Sequence, residues 1–125
     1  MDKTVEKIIQ QAQKDPVVIA VAFFGSYARG EPHRDVDVCI FLKPAEYSPQ
    51  FLSSKKLQFT PEEEKYDVQI FQQLPLYIQK RILKEARILY CKNEDLLYDL
   101  YFLTIRDFEH YEHIYETYLE AVESG

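Results

Sequence analysis

The run Val17-Val18-Ile19-Ala20-Val21-Ala22-Phe23-Phe24-Gly25-Ser26-Tyr27-Ala28-Arg29-Gly30-Glu31-Pro32-His33-Arg34-Asp35-Val36-Asp37-Val38-Cys39-Ile40-Phe41-Leu42 joins two apolar stretches through a polar corner. The first stretch, 17–24, is β-branched and aromatic, and Pro16 and Gly25 bound it. It is too short for a lone buried helix and reads as a central strand covered on both faces. The corner, 25–34, predicts a short helical turn over 27–29. The second stretch, 36–42, is a strand on which Asp35, Asp37, Cys39 and Phe41 share one face, while Val36, Val38, Ile40 and Leu42 share the other.

This spacing carries chemistry. Carboxylates at i and i+2 of a strand project to one side, roughly 7 Å apart. Asp35 and Asp37 stand at the start of their strand, so both sit on the rim of the sheet. From there they can ligate a hard cation such as Mg²⁺, which completes its shell with water and substrate phosphates. Gly25 lets the backbone turn tightly and approach a ligand. Backbone N–H groups at the start of the turn and the Ser26 hydroxyl suit an anion. Arg29 and Arg34 stand where phosphate charge needs neutralising. His33 in the same loop is a nucleotide neighbour rather than a base.

Outward from the corner, Val5, Ile8, Ile9 and Ala12 repeat with helical spacing over 2–14, and Asp15-Pro16 ends that helix. Residues 43–65 carry Pro44, Pro49, Pro61 and several serines, so this is the least ordered segment, with a short helix around 50–57. Residues 66–72 alternate as a third strand, Val68 and Ile70 facing away from Asp67, Gln69 and Phe71. Leu74-Pro75 opens a helix to about Lys84, and 87–91 form a short edge strand. Asn93 is a helix cap for a long helix reaching about Glu123. The elements describe an α/β (α+β) chain: a small mixed sheet, flanking helices and a long C-terminal helix. They fit one domain, with a core over about 1–92 and an interface helix over about 93–123.

Composition narrows the function. The chain has 125 residues and a net charge of -6, a balance that disfavours direct nucleic-acid binding. The one basic cluster, Lys80, Arg81, Lys84 and Arg87, reads as a solvated helix face. No apolar run reaches membrane length, and no export leader is evident; both lead to the expectation of a cytoplasmic protein. Cys39 and Cys91 lack metal-ligand spacing and read as buried small hydrophobes.

A third carboxylate completes the set. Asp67 opens the third strand on the face opposite Val68 and Ile70, and in a neighbouring strand it would lie beside Asp35 and Asp37. Three crowded carboxylates repel one another, and bound cations make the arrangement tolerable. Such a site suits two-metal phosphoryl or nucleotidyl transfer, with Asp67 as ligand and possible base. A lone Gly-Ser pair or a lone Asp-x-Asp is common in ordinary turns; the conjunction is what points to catalysis.

Gly25-Ser26, Ala28-Arg29-Gly30, Asp35-Val36-Asp37 and the later Asp67 resemble the signature of the polymerase-β-like nucleotidyltransferases, and the chain is similar in size to the minimal nucleotidyltransferases among them. The resemblance covers about residues 1–92. It implies Mg²⁺-dependent transfer of a nucleoside monophosphate from a triphosphate such as ATP. It further implies kinship with antitoxins that AMPylate a tyrosine of a partner HEPN-domain ribonuclease toxin. The loop from Ser26 to Asp35 is shorter than the family pattern, and Arg34 stands before Asp35 where that pattern has serine.

The tail favours a protein acceptor. Leu97, Tyr101, Thr104, Phe108, Tyr111, Tyr115, Tyr118 and Val122 recur at alternating spacings of four and three, the repeat of a helix packing along another helix. An unbroken helix here is roughly 43 Å long, against a globule diameter of roughly 35 Å, so it should overhang its own domain. Five of the ten tyrosines follow Asp95, and tyrosine is interface material. His110 and His113 with their glutamate neighbours read as a solvated face. Two alternatives stay open: transfer to a small hydroxylated molecule such as an aminoglycoside, and a catalytically weak antitoxin that neutralises by binding.

Overall fold

The computed structural model describes residues 2–31 and 35–124. Its elements are α1 (Lys3–Lys14), β1 (Val18–Phe24), α2 (Gly25–Ala28), β2 (Val36–Leu42), α3 (Pro49–Phe59), β3 (Tyr66–Ile70), a 3₁₀ turn (Phe71–Gln73), α4 (Leu76–Glu85), β4 (Arg87–Cys91) and α5 (Glu94–Ser124). The strands form one mixed sheet in the order β3-β2-β1-β4. β1 runs antiparallel to both β2 and β4, and β2 runs parallel to β3.

Both faces of the sheet are covered, as the continuous apolar strand at 17–24 requires. On one face α1 and α3 bring Val5, Ile8, Ala12, Leu52 and Phe59 against Val21, Val38, Ile40 and Val68. On the other, α4 and α5 bring Ile82 and Leu100 against Ile19, Ala22, Cys39 and Phe41. Phe41 stacks on Phe71, ring centroids 4.9 Å apart. The alternation expected along β2 therefore divides its side chains between two apolar layers, and Asp37 belongs to the α4 side.

Three local readings change. Residues 49–59 form a three-turn helix, longer than the proline and serine content of 43–65 suggested. Ser48 and Pro49 act as its start rather than as breaks: the Ser48 hydroxyl accepts from the Phe51 N–H at 3.1 Å, and Pro49 occupies the first turn. β3 ends at Ile70, two residues early. There the Gln72 amide donates to the Leu42 carbonyl at 2.7 Å and accepts its N–H at 3.2 Å, replacing the strand ladder with a side chain. Cys91, on edge strand β4, is half-buried, whereas Cys39 is fully buried and burial pushes its thiol well up; both are free.

A buried ion pair fixes the end of α1. Asp15 accepts from Lys55 Nζ at 2.6 Å and from the Val17 N–H at 3.0 Å. Burial pushes its carboxyl up, but the Lys55 hydrogen bond, the Val17 N–H and the Lys55 charge outweigh this, and the net shift is downward. Lys92 Nζ donates to the Ala12 and Asp15 carbonyls at 3.0 and 2.6 Å, a cation at a helix C-terminus. Removing one partner leaves the other's charge buried without a counter-charge. Lys55→Met should therefore destabilise the protein by about 3 kcal/mol, read as a lower urea midpoint with an unchanged slope. No change in midpoint would show that Asp15 finds water instead.

Candidate functional site

Asp37 is the centre of the site because of its position in the sheet. Across the antiparallel ladder it faces Phe24, the last residue of β1, and across the parallel ladder it faces Asp67. The chain leaves β1 at Gly25, which has φ +72°, the left-handed region that L side chains rarely adopt. A Cβ on Gly25 would collide with Asp37 Oδ2. The glycine is thus required twice, by its own backbone and by the carboxylate beneath it. The helical turn begins at Gly25 rather than Tyr27. It closes through the Arg29 N–H to the Gly25 carbonyl at 3.2 Å and the Glu31 N–H to the Ser26 carbonyl at 3.0 Å.

The carboxylates are arranged unevenly. Asp37 is half-buried and its carboxyl is pushed up, first by burial, then by the charges of Asp67 and Asp35 and a hydrogen bond shared with Asp67. Arg29 offsets only part of this. Asp67 and Asp35 are exposed. Among the described residues no three His, Cys, Asp or Glu side chains converge closely enough to hold a metal ion by themselves. The expected set of Asp35, Asp37 and Asp67 is therefore a close pair, Asp37 with Asp67, and an outlying third carboxylate whose charge still reaches Asp37. Asp67 is also held along its own strand. Gln69 Nε2 donates to both of its oxygens at 3.2 Å, and Lys56 Nζ donates to Gln69 Oε1 at 3.3 Å. A donor-only ammonium on one side and an acceptor-only carboxylate on the other leave that amide a single orientation.

Beside Asp37 lies a cavity of about 310 Å³, lined by Gly25, Ser26 and Arg29 from the corner, Asp37 from β2, and Arg81 and Glu85 from α4. Arg29 is closely held: Nε and Nη2 meet the two Glu31 oxygens at 3.0 and 3.2 Å, and Nη1 meets Glu85 at 2.9 Å. Arg34 and His33 fall outside the described residues. A larger polar cleft, about 530 Å³, separates α1 from the end of α3 and is remote from the carboxylates.

Arg81 and Gln69 were missed as site residues. Gln69 shares a strand face with Asp67, which alternation along β3 does indicate. Arg81 was hidden in a basic helix face, and only the packing of α4 across the sheet brings it to the cavity.

A glycine corner pressed on paired strand carboxylates, on a mixed sheet with helices over both faces, is the framework of a nucleotidyltransferase domain. The chain matches the polymerase β nucleotidyltransferase family over residues 6–95, most of its length, and belongs to that family. A Methanocaldococcus jannaschii protein provisionally assigned as a protein adenylyltransferase is 32% identical over 75 residues. The match covers 58% of this chain and 56% of that protein, so the chain spans little more than half its relative's length. Among solved structures, a toxin–antitoxin complex with AMP-PNP contains a chain of the same fold: TM-score 0.63, 15% identity, 95% of each chain covered. So does a complex of a tri-AMPylated Shewanella oneidensis HEPN toxin with its MNT antitoxin: TM-score 0.60, 14% identity, 94% of this chain and 92% of that one covered.

The site's electrostatics make a stability prediction. Because the Asp37 pKa is raised in the folded protein, Asp37 favours folding most below its unfolded value of 3.8. That contribution declines as pH rises through the folded value, so at neutral pH the ionised carboxylate opposes folding. Asp37→Asn removes the charge and offers Asp67 an N–H donor. In chelator at pH 7 the variant should melt a few degrees above the parent, with the gain shrinking toward pH 3. A variant less stable than the parent at pH 7 would contradict this electrostatic description.

Proposed function

We propose that this chain is a Mg²⁺-dependent nucleotidyltransferase that moves AMP from ATP to a hydroxyl of a partner protein. The acceptor that fits best is a tyrosine of a HEPN-domain ribonuclease toxin, with this chain as its cytoplasmic antitoxin. The observation that carries the reading is the facing of Asp37 and Asp67 across β2 and β3, directly beneath the Gly25-Ser26 corner and beside the cavity.

The donors suit the metal. All are hard carboxylate oxygens, and Mg²⁺ is commonly held by one or two carboxylates with substrate phosphates and water completing the shell. Asp37 with Asp67 supplies such a pair, with Asp35 at the rim as a further ligand toward a second ion. When bound, the metal supplies charge that neutralises the triphosphate and acidifies the acceptor hydroxyl. Gly25 brings backbone close to the phosphates, and Ser26 donates its hydroxyl. Arg29, tied to Glu31 and Glu85, holds the corner in place, and Arg34 is a further candidate for neutralising phosphate charge. Asp67, oriented by Gln69, accepts the acceptor's proton. The acceptor oxygen bonds to the α-phosphorus, the bond from that phosphorus to the bridging oxygen breaks, and pyrophosphate leaves.

The tail supports a protein acceptor. α5 is a single 31-residue helix, about 46 Å long. Its first half buries Leu100 and Thr104 on the domain. The same helical face continues as Tyr111, Tyr115, Tyr118 and Val122, each more than half exposed. The Tyr111 and Tyr115 rings lie nearly parallel with centroids 6.3 Å apart, so they present one aromatic patch to a partner. His110 and His113 are exposed on the same stretch. Among the described residues no helix is long and apolar enough to cross a membrane.

Labelled ATP, Mg²⁺ and a co-encoded toxin should yield a labelled toxin with the wild-type chain and none with Asp37→Asn. Label on aminoglycosides without any protein would move the acceptor to small molecules. An unlabelled toxin that both proteins still neutralise would make the chain a binding antitoxin. For the tail, Tyr111→Glu with Tyr115→Glu should abolish co-purification with the toxin and leave the melting temperature within about a degree, since such surface changes are nearly neutral for folding. Retained co-purification would place the interface elsewhere.

A further inference from the structure

The cavity beside Asp37 contains two arginines in opposite situations. Arg29 presents Nε, Nη1 and Nη2 to two carboxylates, Glu31 and Glu85, at 2.9 to 3.2 Å. One positive charge is thereby enclosed by two negative ones, and most of its donors are taken. An incoming phosphate would compete with both glutamates for its charge, with two of its five N–H donors left over. The bridge from Arg29 to Glu85 joins the corner to α4, which makes Arg29 a strut.

Arg81 lies one helical turn before Glu85, and both line the cavity. Among the described residues Arg81 makes no hydrogen bond or ion pair. Its basic neighbour on α4 is differently occupied: Lys80 Nζ lies 4.0 Å from the centroid of Phe108 and 3.7 Å from Glu112. The cluster thus divides, Lys80 binding the tail helix and Arg81 left beside Ser26 and Asp37. We infer that Arg81 is the side chain that binds the phosphate tail of the nucleoside triphosphate, while Arg29 holds α4 at the distance that brings Arg81 there. A guanidinium is suited to this, because its planar fork meets two phosphate oxygens at once. The inference rests on the nucleotidyltransfer reading and adds to it a ligand-binding residue outside the corner.

The test is equilibrium binding of ATP, AMP and tripolyphosphate, each with Mg²⁺, to the full chain and to Arg81→Gln and Arg81→Lys. Arg81→Gln should weaken ATP and tripolyphosphate by about tenfold or more, the loss of a charge-assisted contact. AMP should change by less than about twofold, and Arg81→Lys should recover part of the loss, because a point charge keeps attraction without the fork. The melting temperature should not move, since Arg81 has no hydrogen-bond or ion-pair partner to lose among the described residues. ATP binding by Arg81→Gln equal to wild type, together with a loss in Arg29→Gln, would overturn the inference and leave the nucleotidyltransfer reading standing. Failure of the wild-type chain to bind either ATP or tripolyphosphate would overturn both.

Discussion

A half-buried carboxylate set between a second carboxylate and a glycine is the constraint on which the rest of the structure depends. Asp37 faces Asp67 across one ladder and lies under Gly25 at the end of the other; burial, the charges of Asp67 and Asp35, and the hydrogen bond shared with Asp67 all raise its pKa. Burial and like charge oppose folding here, so the surrounding sheet must hold the arrangement. It does so through β1 and β2, whose residues are almost entirely buried between two helical layers. A site that repels itself suits a cation, and in the proposed function a cation bound with a polyphosphate would offset the repulsion.

The helices divide the remaining work. α1 and α3 close one face and are pinned by the Asp15–Lys55 pair, so that face is structural. On the other face α4 supplies both a cover for Cys39 and Phe41 and the polar edge of the cavity. The Arg29–Glu85 contact couples this helix to the corner, tying the corner's geometry to core packing. α5 begins in the same layer and then leaves it. Its apolar stripe keeps one direction while the domain beneath it ends, which turns a packing face into an exposed one.

Much of this was legible in the order of residues. The corner, the Asp-x-Asp pair, the four strands and the capped tail helix all follow from apolar runs, periodicity and the placement of Gly, Pro and Asn93. What escaped was of two kinds. Ser48-Pro49 looked like loop composition, because the same residues that break a helix in its interior start one at its N-terminus. The rest was tertiary: Arg81 reaches the cavity through the packing of α4, Arg29 is sequestered by a glutamate far along the chain, and Gln72 ends β3 by replacing its ladder. No local pattern encodes such contacts.

In the proposed function Asp37, unfavourable alone, becomes favourable when metal and triphosphate bind together. Thermal melting with ATP, with Mg²⁺, and with both tests this most directly, since a ligand that binds only the folded state raises its stability with concentration. The wild-type chain should show a clear rise only when ATP and Mg²⁺ are both present, and Asp37→Asn should show no such rise. Equal stabilisation of the two proteins by ATP in chelator would contradict this reading.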